Sequence, residues 1–339
     1  MLELCFAQDE KITVSDLELQ RGGRSYTFET VAQVKTLYPQ AELVLFMGTD
    51  MFLSFLTWKN PEEILRNVSL GVFYRGQKDE KSAVAEQKEI LEKMGARVYL
   101  VDNTVTMMSS TDLRRMLRFG CADALLPSGV CKYILKNCLY GTDESFKRLS
   151  MEELEQVATG LLKSNRVNHV LGCRDTAVRL AKRWGADETD AARAALLHDV
   201  TKALDGPLQL TLCKAYGIIL DDFFIQNPKT IHALTGSLVA ERIFGENEAV
   251  VNAIASHTTG KKDMNLLEKI IYVADYMEPN RDFDGVDTLR KLADTDIDSA
   301  LKLGLEMTLK ILHAQGKEIS PQSQEALAWL ENKTVSLKG

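Results

Sequence analysis

The sequence has no run of about 18 apolar residues, so no transmembrane helix is expected. Its first residues, MLELCFAQDEKI, carry acids and no basic stretch and do not read as a signal peptide, so a cytoplasmic location is expected. No C-x-x-C pair occurs among Cys5, Cys121, Cys131, Cys138, Cys173 and Cys213, which argues against zinc ribbons and redox motifs and suits small, reduced, buried thiols. Basic residues are the minority, 41 Lys and Arg against 48 Asp and Glu, for a net charge of −7. That balance argues against a broad nucleic-acid binder but leaves room for a small phosphorylated substrate held by a few local cations. Internal repeats and low-complexity tracts are absent as well. Histidine is scarce and unevenly placed: the chain has 5, and none precedes His169.

What is present is ordinary for a folded chain, with 45% hydrophobic and 26% charged residues. The 339 residues suggest about two domains. Residues 1 to about 140 alternate strand-like and helix-like stretches. Short β-branched or aromatic runs at 42–47, 69–74 and 97–101 follow or interleave with helical patterns at 27–38 and 82–94. Strands alternating with helices predict a parallel sheet, with ligands at the carboxyl ends of its strands. Gly48, Thr49 and Asp50 fall at such an end. From about Ser150 the strand-like runs stop. Ser150-Met151-Glu152-Glu153 reads as a capping box. Helical periodicity then recurs through 168–184, 190–197, 207–216, 231–244, 248–257, 266–278 and 297–313, separated by Gly and Pro. The polar stretch 140–150 is the expected join, and about 334–339 the expected frayed tail.

All the histidines lie in the helical half: His169, His198, His232, His257 and His313. A single helical histidine is commonly a plain core or surface residue. His198, however, is followed directly by Asp199 at an expected helix end, where imidazole and carboxylate can share a cation. Asp275 interrupts the apolar run Ile270-Ile271-Tyr272-Val273-Ala274, and an ionised carboxylate buried there needs a cation beside it. His313 reads as a surface residue of a late helix.

In order, these residues resemble the HD-domain phosphohydrolase superfamily. The strings His198-Asp-Val-Thr-Lys202, His257-Thr-Thr-Gly260 and Ala274-Asp-Tyr-Met-Glu-Pro-Asn-Arg281 resemble its symmetrical dinucleoside tetraphosphatase branch, over about residues 150–333. The resemblance implies cleavage of diadenosine tetraphosphate into two ADP. It implies one metal at His169, His198, Asp199 and Asp275, and a second at His232 and His257 with Asp199 bridging. The cofactor would be a divalent or trivalent metal, with iron favoured and a dinuclear centre allowed; imidazole and carboxylate donors without thiolate suit it. Two such ions make a bridging water acidic and bind phosphate oxygens, from which an in-line attack expels ADP. Lys202 and Arg281 are the expected cations for the phosphoryl charge beside Asp199, with Lys261 and Arg166 as weaker candidates. Partners would be small nucleotides, with no nucleic acid and no membrane; a homodimer is an allowed assembly.

The front half carries Arg24-Ser-Tyr-Thr27, Gly48-Thr-Asp50 followed by Trp58, and Ser109-Ser110-Thr111-Asp112-Leu113-Arg114. Hydroxyls at a helix start bind phosphate, Arg114 adds charge, and Trp58 offers a stacking ring; each has an equally plain reading as a cap or core residue. Together, over about residues 1–145, they resemble nicotinate-nucleotide adenylyltransferase. The resemblance implies a substrate site at Thr27, Asp50, Trp58, Ser110, Thr111 and Arg114. Members of that family carry a G-G-x-F-D-P-x-H-x-G-H segment that this sequence does not contain. The expected architecture is thus an incomplete Rossmann-like α/β nucleotidyltransferase domain followed by an all-α HD domain, the front part a remnant with negligible adenylyl transfer. Alternatives are a bifunctional enzyme with an upstream start, an HD phosphohydrolase for another nucleotide, and a metal-stabilised nucleotide-binding module without turnover.

Overall fold

The structure, a computed structural model, describes residues 1–76, 80–104 and 108–336. Its contacts divide it into two compact units, Met1–Ser110 and Thr111–Gly339. The compositional join expected at 140–150 therefore lies inside the second unit, and the helical residues after 110 group with the helical unit.

The first unit holds three short strands, β1 (Val44–Gly48), β2 (Ser69–Phe73) and β3 (Val98–Val101), all parallel and in that order. The helix α1 (Thr27–Leu37) precedes β1, and α2 (Glu80–Lys93) crosses from β2 to β3. Alternation along β1 turns Met47 inward and leaves Val44 and Phe46 exposed, as a two-residue side-chain period requires. The buried face joins Leu70, Val72 and Val98 to Phe52, Phe55, Ile64, Val84 and Leu91. Gly71 sits opposite Phe46 in the register, and a Cβ there would run into the Phe46 ring.

The second unit is helical, with no strand among its described residues. It comprises α3 (Ser110–Arg118, beginning at the boundary), α4 (Met151–Leu161), α5 (Ser164–Trp184), α6 (Glu188–Leu197), α7 (Gly206–Tyr216), α8 (Ile231–Val239), α9 (Glu248–Ser256), α10 (Leu266–Met277), α11 (Val286–Ala293), α12 (Ile297–Ala314) and α13 (Pro321–Ser336), besides a nine-residue helix at Ser128–Lys136 and shorter segments. The capping box opens α4 as the sequence predicts: Ser150 Oγ accepts from the Glu153 amide at 3.3 Å, and Glu153 accepts from the Ser150 amide at 2.8 Å. α10 is apolar on nearly all sides, burying Leu267, Ile270, Ile271, Tyr272, Val273, Ala274 and Met277, and so becomes the central helix. α5, α6 and α9 pack around it. The small residues Ala191, Ala194 and Ala195 let α6 approach closely.

Two further features differ from expectation. The pattern at 231–244 is not one α-helix: α8 ends at Val239 and a π-helical turn, Ala240–Phe244, carries the chain to Gly245. The tail expected from 334 is still helical to Ser336; residues 337–339 lie outside the described residues.

Candidate metal centre

Five elements bring the site together. His169 comes from α5, His198 and Asp199 from the end of α6, His232 from the first turn of α8, His257 from the end of α9, and Asp275 from the last turn of α10. The histidines and Asp199 are buried, and Asp275 keeps 15% of its side chain exposed.

The imidazoles are oriented by their Nδ1 atoms. His198 Nδ1 lies 2.7 Å from Ala195 O, His232 Nδ1 2.7 Å from Lys229 O, and His257 Nδ1 2.7 Å from Ile254 O. Each acceptor is the carbonyl three residues back. Ala195 and Ile254 lie in the last turns of their helices, where carbonyls lack full helical partners, and Lys229 lies in the turn just before α8. His169 lies deep within α5 and uses a side chain instead: its Nδ1 is 3.1 Å from Glu278 Oε1. A proton on Nδ1 leaves the Nε2 lone pair free, the arrangement that metal-ligating histidines use.

All four Nε2 atoms face the two carboxylates. His169 Nε2 is 3.0 Å from Asp275 Oδ1 and 3.8 Å from Asp199 Oδ2. His198 Nε2 is 3.5 Å from Asp199 Oδ2 and 3.8 Å from Asp275 Oδ1. His232 Nε2 lies 3.2 Å, and His257 Nε2 3.8 Å, from Asp199 Oδ1. The His232 and His257 Nε2 atoms are 3.1 Å apart. Three overlapping triads have ligand atoms close enough to hold an ion: His169, His198 and Asp199; Asp199, His232 and His257; and His198, His257 and Asp275.

The residues fit a metal on two counts. His198 Nε2 is buried without a hydrogen-bond partner, a costly state unless an ion uses it, and His169 Nε2 and Asp199 Oδ1 are buried with only the ion-pair contacts to Asp275, Lys202 and His232. The donors are nitrogen and oxygen. Cys173, on α5 close by, is held as a thiol because burial first, and then the charges of Asp275, Asp199 and Glu278, push its pKa well above the usual value.

The electrostatics agree. Burial acts most strongly on Asp199 and favours its neutral form, yet His198, His232 and Lys202 together hold it well below the usual carboxylate range. Asp275 behaves alike: burial opposes ionisation, and His169, His198 and Lys202 overrule it. His257 is pushed well down by burial and by its neighbours His232 and His198, and His232 is lowered chiefly by burial. Both therefore stay neutral with a free lone pair. Burial alone lowers His198, but Asp199 and Asp275 raise it overall.

Three cations touch this centre. Lys202 Nζ lies 3.0 Å from Asp199 Oδ1, Arg281 pairs with Asp275 Oδ1 at 2.9 Å, and Arg166 contacts Asp199 Oδ2. Lys261 is engaged elsewhere, 2.7 Å from Glu268, whose other oxygen caps α10. His313 is exposed near the end of α12.

Two contributors escaped the sequence reading. Glu278 is 1% exposed; it accepts from His169 and also from the Asn280 amide (2.7 Å) and Asn280 Nδ2 (2.8 Å). Gly172 makes room for it, since a Cβ there would lie 2.5 Å from Glu278 Oε2. The spacing Asp275 to Glu278, three residues along a helix end, was the available signal.

In the first unit, Thr27 opens α1 and Asp50 follows β1, its Oδ1 3.1 Å from Arg75 Nε just beyond β2. A Cβ on Gly48 would meet that ion pair, at 2.5 Å from Arg75 and 2.8 Å from Asp50. Trp58 packs on Phe55 at 5.2 Å between ring centroids. Ser110 ends that unit. Thr111 and Arg114 belong to the second, exposed on α3, with Arg114 stacked 5.4 Å from the Tyr140 ring.

A parallel-sheet unit followed by helices that gather histidines and aspartates around a buried centre defines a nucleotidyltransferase-like fold joined to a helical hydrolase of HD type. The HD-domain family model matches residues 166–280, and the cytidylyltransferase-like model matches residues 1–116. The symmetrical bis(5'-nucleosyl)-tetraphosphatase of Bacillus subtilis (strain 168) is 37% identical over 186 residues, covering 54% of this chain and 98% of that protein. A probable nicotinate-nucleotide adenylyltransferase/Ap4A hydrolase of Mycoplasma pneumoniae is 26% identical over 324 residues, 94% of this chain and 84% of that one. The crystal structure of a predicted HD superfamily hydrolase involved in NAD metabolism, from Clostridium acetobutylicum, is 40% identical, with a TM-score of 0.53, covering 55% of this chain and 98% of that one. Through its helical part the chain belongs to the symmetrical bis(5'-nucleosyl)-tetraphosphatase family.

Proposed function

We propose that residues 150–333 form a metal-dependent hydrolase that splits diadenosine tetraphosphate symmetrically into two ADP. The observation that carries this reading is the convergence of four imidazole Nε2 atoms on Asp199 and Asp275, with every Nδ1 engaged outside the cluster. Bound cations supply an acidified water and a Lewis-acid contact for phosphoryl oxygens. We take iron as the metal and two ions as the occupancy, because nitrogen and oxygen donors suit iron and the triads overlap at Asp199.

The chain's own groups do the rest. Asp199 offers one oxygen toward His169 and His198 and the other toward His232 and His257, so it serves as the shared ligand. Glu278 keeps the His169 proton on Nδ1. Lys202 and Arg281 each keep 34% of their side chain exposed, so they turn from the carboxylates toward phosphoryl oxygens as charge grows there. All six cysteines are unpaired, which supports a reducing, cytoplasmic setting.

The test is direct: incubate the purified chain with iron or manganese and diadenosine tetraphosphate, separate the products by chromatography, and measure bound metal by elemental analysis. ADP as the single product is expected. AMP together with ATP would overturn the symmetrical reading.

For residues 1–145 the reading is a remnant of a nucleotide site, of which the sheet unit carries Thr27, Asp50 and Trp58. The Mycoplasma pneumoniae relative, whose description joins both activities, favours a second reading in which nicotinate mononucleotide is adenylylated as well.

A further inference from the structure

A cleft of about 430 Å³ opens beside the metal centre in the helical unit, and nothing described so far accounts for it. Its volume falls in the range of small-molecule sites. His232 is one of its walls while its Nε2 faces the cluster, so the cleft and the centre share a residue. Lys202 lines the inner side, 3.0 Å from Asp199. Lys229, exposed, lines the cleft too, and its carbonyl receives the His232 Nδ1 proton. Leu204 and Pro228 add apolar wall, and Asp205 is the one acidic group of the lining, its Oδ1 accepting from the Leu208 amide at 3.1 Å at the start of α7.

We infer that this cleft holds one nucleoside-phosphate half of the substrate, with Lys229 as a phosphate contact outside the metal centre. The inference rests on the hydrolase reading above. A polyphosphate chain bound at the cluster meets Lys202 and then Lys229, two ammonium groups along one path, while the apolar wall takes the nucleoside. Gln209, the one side-chain amide in the lining, is already committed: its Nε2 donates to Thr201 O at 2.7 Å and its Oε1 accepts from Thr235 at 2.6 Å. With Gln209 committed and Asp205 held at the start of α7 by the Leu208 amide, the cleft selects chiefly charge and shape, and adenine and guanine nucleotides bind it comparably.

The experiment uses the metal-loaded full chain and compares wild type, K229Q, K229E and the surface control K262Q. ADP and GDP affinities are measured by calorimetry, KM and kcat with diadenosine tetraphosphate, and metal per chain by elemental analysis. K229Q is expected to weaken ADP binding and raise KM about tenfold, the scale of one lost charge-assisted contact, with kcat and metal content unchanged. K229E is expected to lose more, K262Q nothing, and ADP and GDP to differ by less than about threefold for every variant. Wild-type ADP affinity in K229Q and K229E would overturn the inference while leaving the hydrolase reading intact. A fall in metal content alongside KM would also overturn it, because Lys229 would then act only through His232. Lys229-dependent ADP binding without any hydrolysis of the tetraphosphate would keep the cleft and refute the hydrolase reading.

Discussion

Replacing Glu278 with Gln isolates the group that orients His169. The carboxylate accepts from three donors: His169 Nδ1 at 3.1 Å, the Asn280 amide at 2.7 Å and Asn280 Nδ2 at 2.8 Å. Its Oε1 serves the histidine and its Oε2 serves Asn280, so both oxygens are needed. A glutamine has one oxygen and one NH2. With the NH2 toward Asn280, two donors face each other in a site that is 1% exposed, at a cost of about 1–3 kcal/mol. With the NH2 toward His169, the ring must place its proton on Nε2 and loses the lone pair aimed at the centre. Either arrangement weakens the cation site, and losses of outer partners of this kind are typically about 10- to 100-fold in metal affinity or activity. At about 1.4 kcal/mol per decade that is roughly 1.4–2.8 kcal/mol, matching the cost of the orphaned donors. The assay is competition for the bound metal with a chelator of known affinity, alongside steady-state hydrolysis and a thermal melt of the metal-free protein. Metal affinity within about twofold of wild type, with normal turnover, would refute the orienting role.

Gly172→Ala should lower metal affinity in the same assay. Helix propensity alone would stabilise α5 by roughly 1 kcal/mol, so a more stable protein with unchanged metal binding would sink the claim that this glycine makes room for Glu278. Asp298 receives Lys269 Nζ at 2.5 Å and Lys333 Nζ at 2.6 Å; burial opposes its ionisation most, but the two ammonium groups hold its pKa below the usual value. A lowered carboxylate contributes stability that is present above the unfolded pKa of about 3.9 and is lost as pH falls through the folded one. The melting temperature of wild type should therefore fall more steeply below about pH 4 than that of Asp298→Asn, and parallel curves would refute it. With no G-G-x-F-D-P-x-H-x-G-H segment in the sequence, this polypeptide should release no pyrophosphate from nicotinate mononucleotide and ATP. Pyrophosphate release above a no-enzyme control would revise that expectation.

The parallel sheet was legible because its strands are short apolar runs between amphipathic helices, and β1–β3 lie within two residues of where the pattern puts them. The histidines and aspartates that the structure gathers into the candidate centre drew notice in the sequence for a different reason. Histidine is rare in this chain, and an acid inside the apolar run of α10 has few explanations. Glu278 stayed hidden because an acid just past a helix looks like surface; only burial and the approach of α5 reveal its purpose. The π turn after α8 stayed hidden too, since one extra residue per turn leaves the apolar spacing of 231–244 almost unchanged. α11 was not among the expected helices; it opens directly after Gly285, amid the acids Asp282, Asp284 and Asp287. Lys261 shows the limit of proximity in sequence: four residues from His257, it pairs with Glu268 instead.

Three of the four imidazoles are steadied by a peptide carbonyl of their own chain, three residues upstream at the margin of a helix. Unwinding of one turn at the end of α6 or α9, or at the start of α8, would swing a donor atom out of place. Ion release and terminal fraying are then a single event. Amide protons in these turns should exchange with solvent at a rate that tracks free metal concentration, so the centre doubles as a clasp for the helix ends that build it.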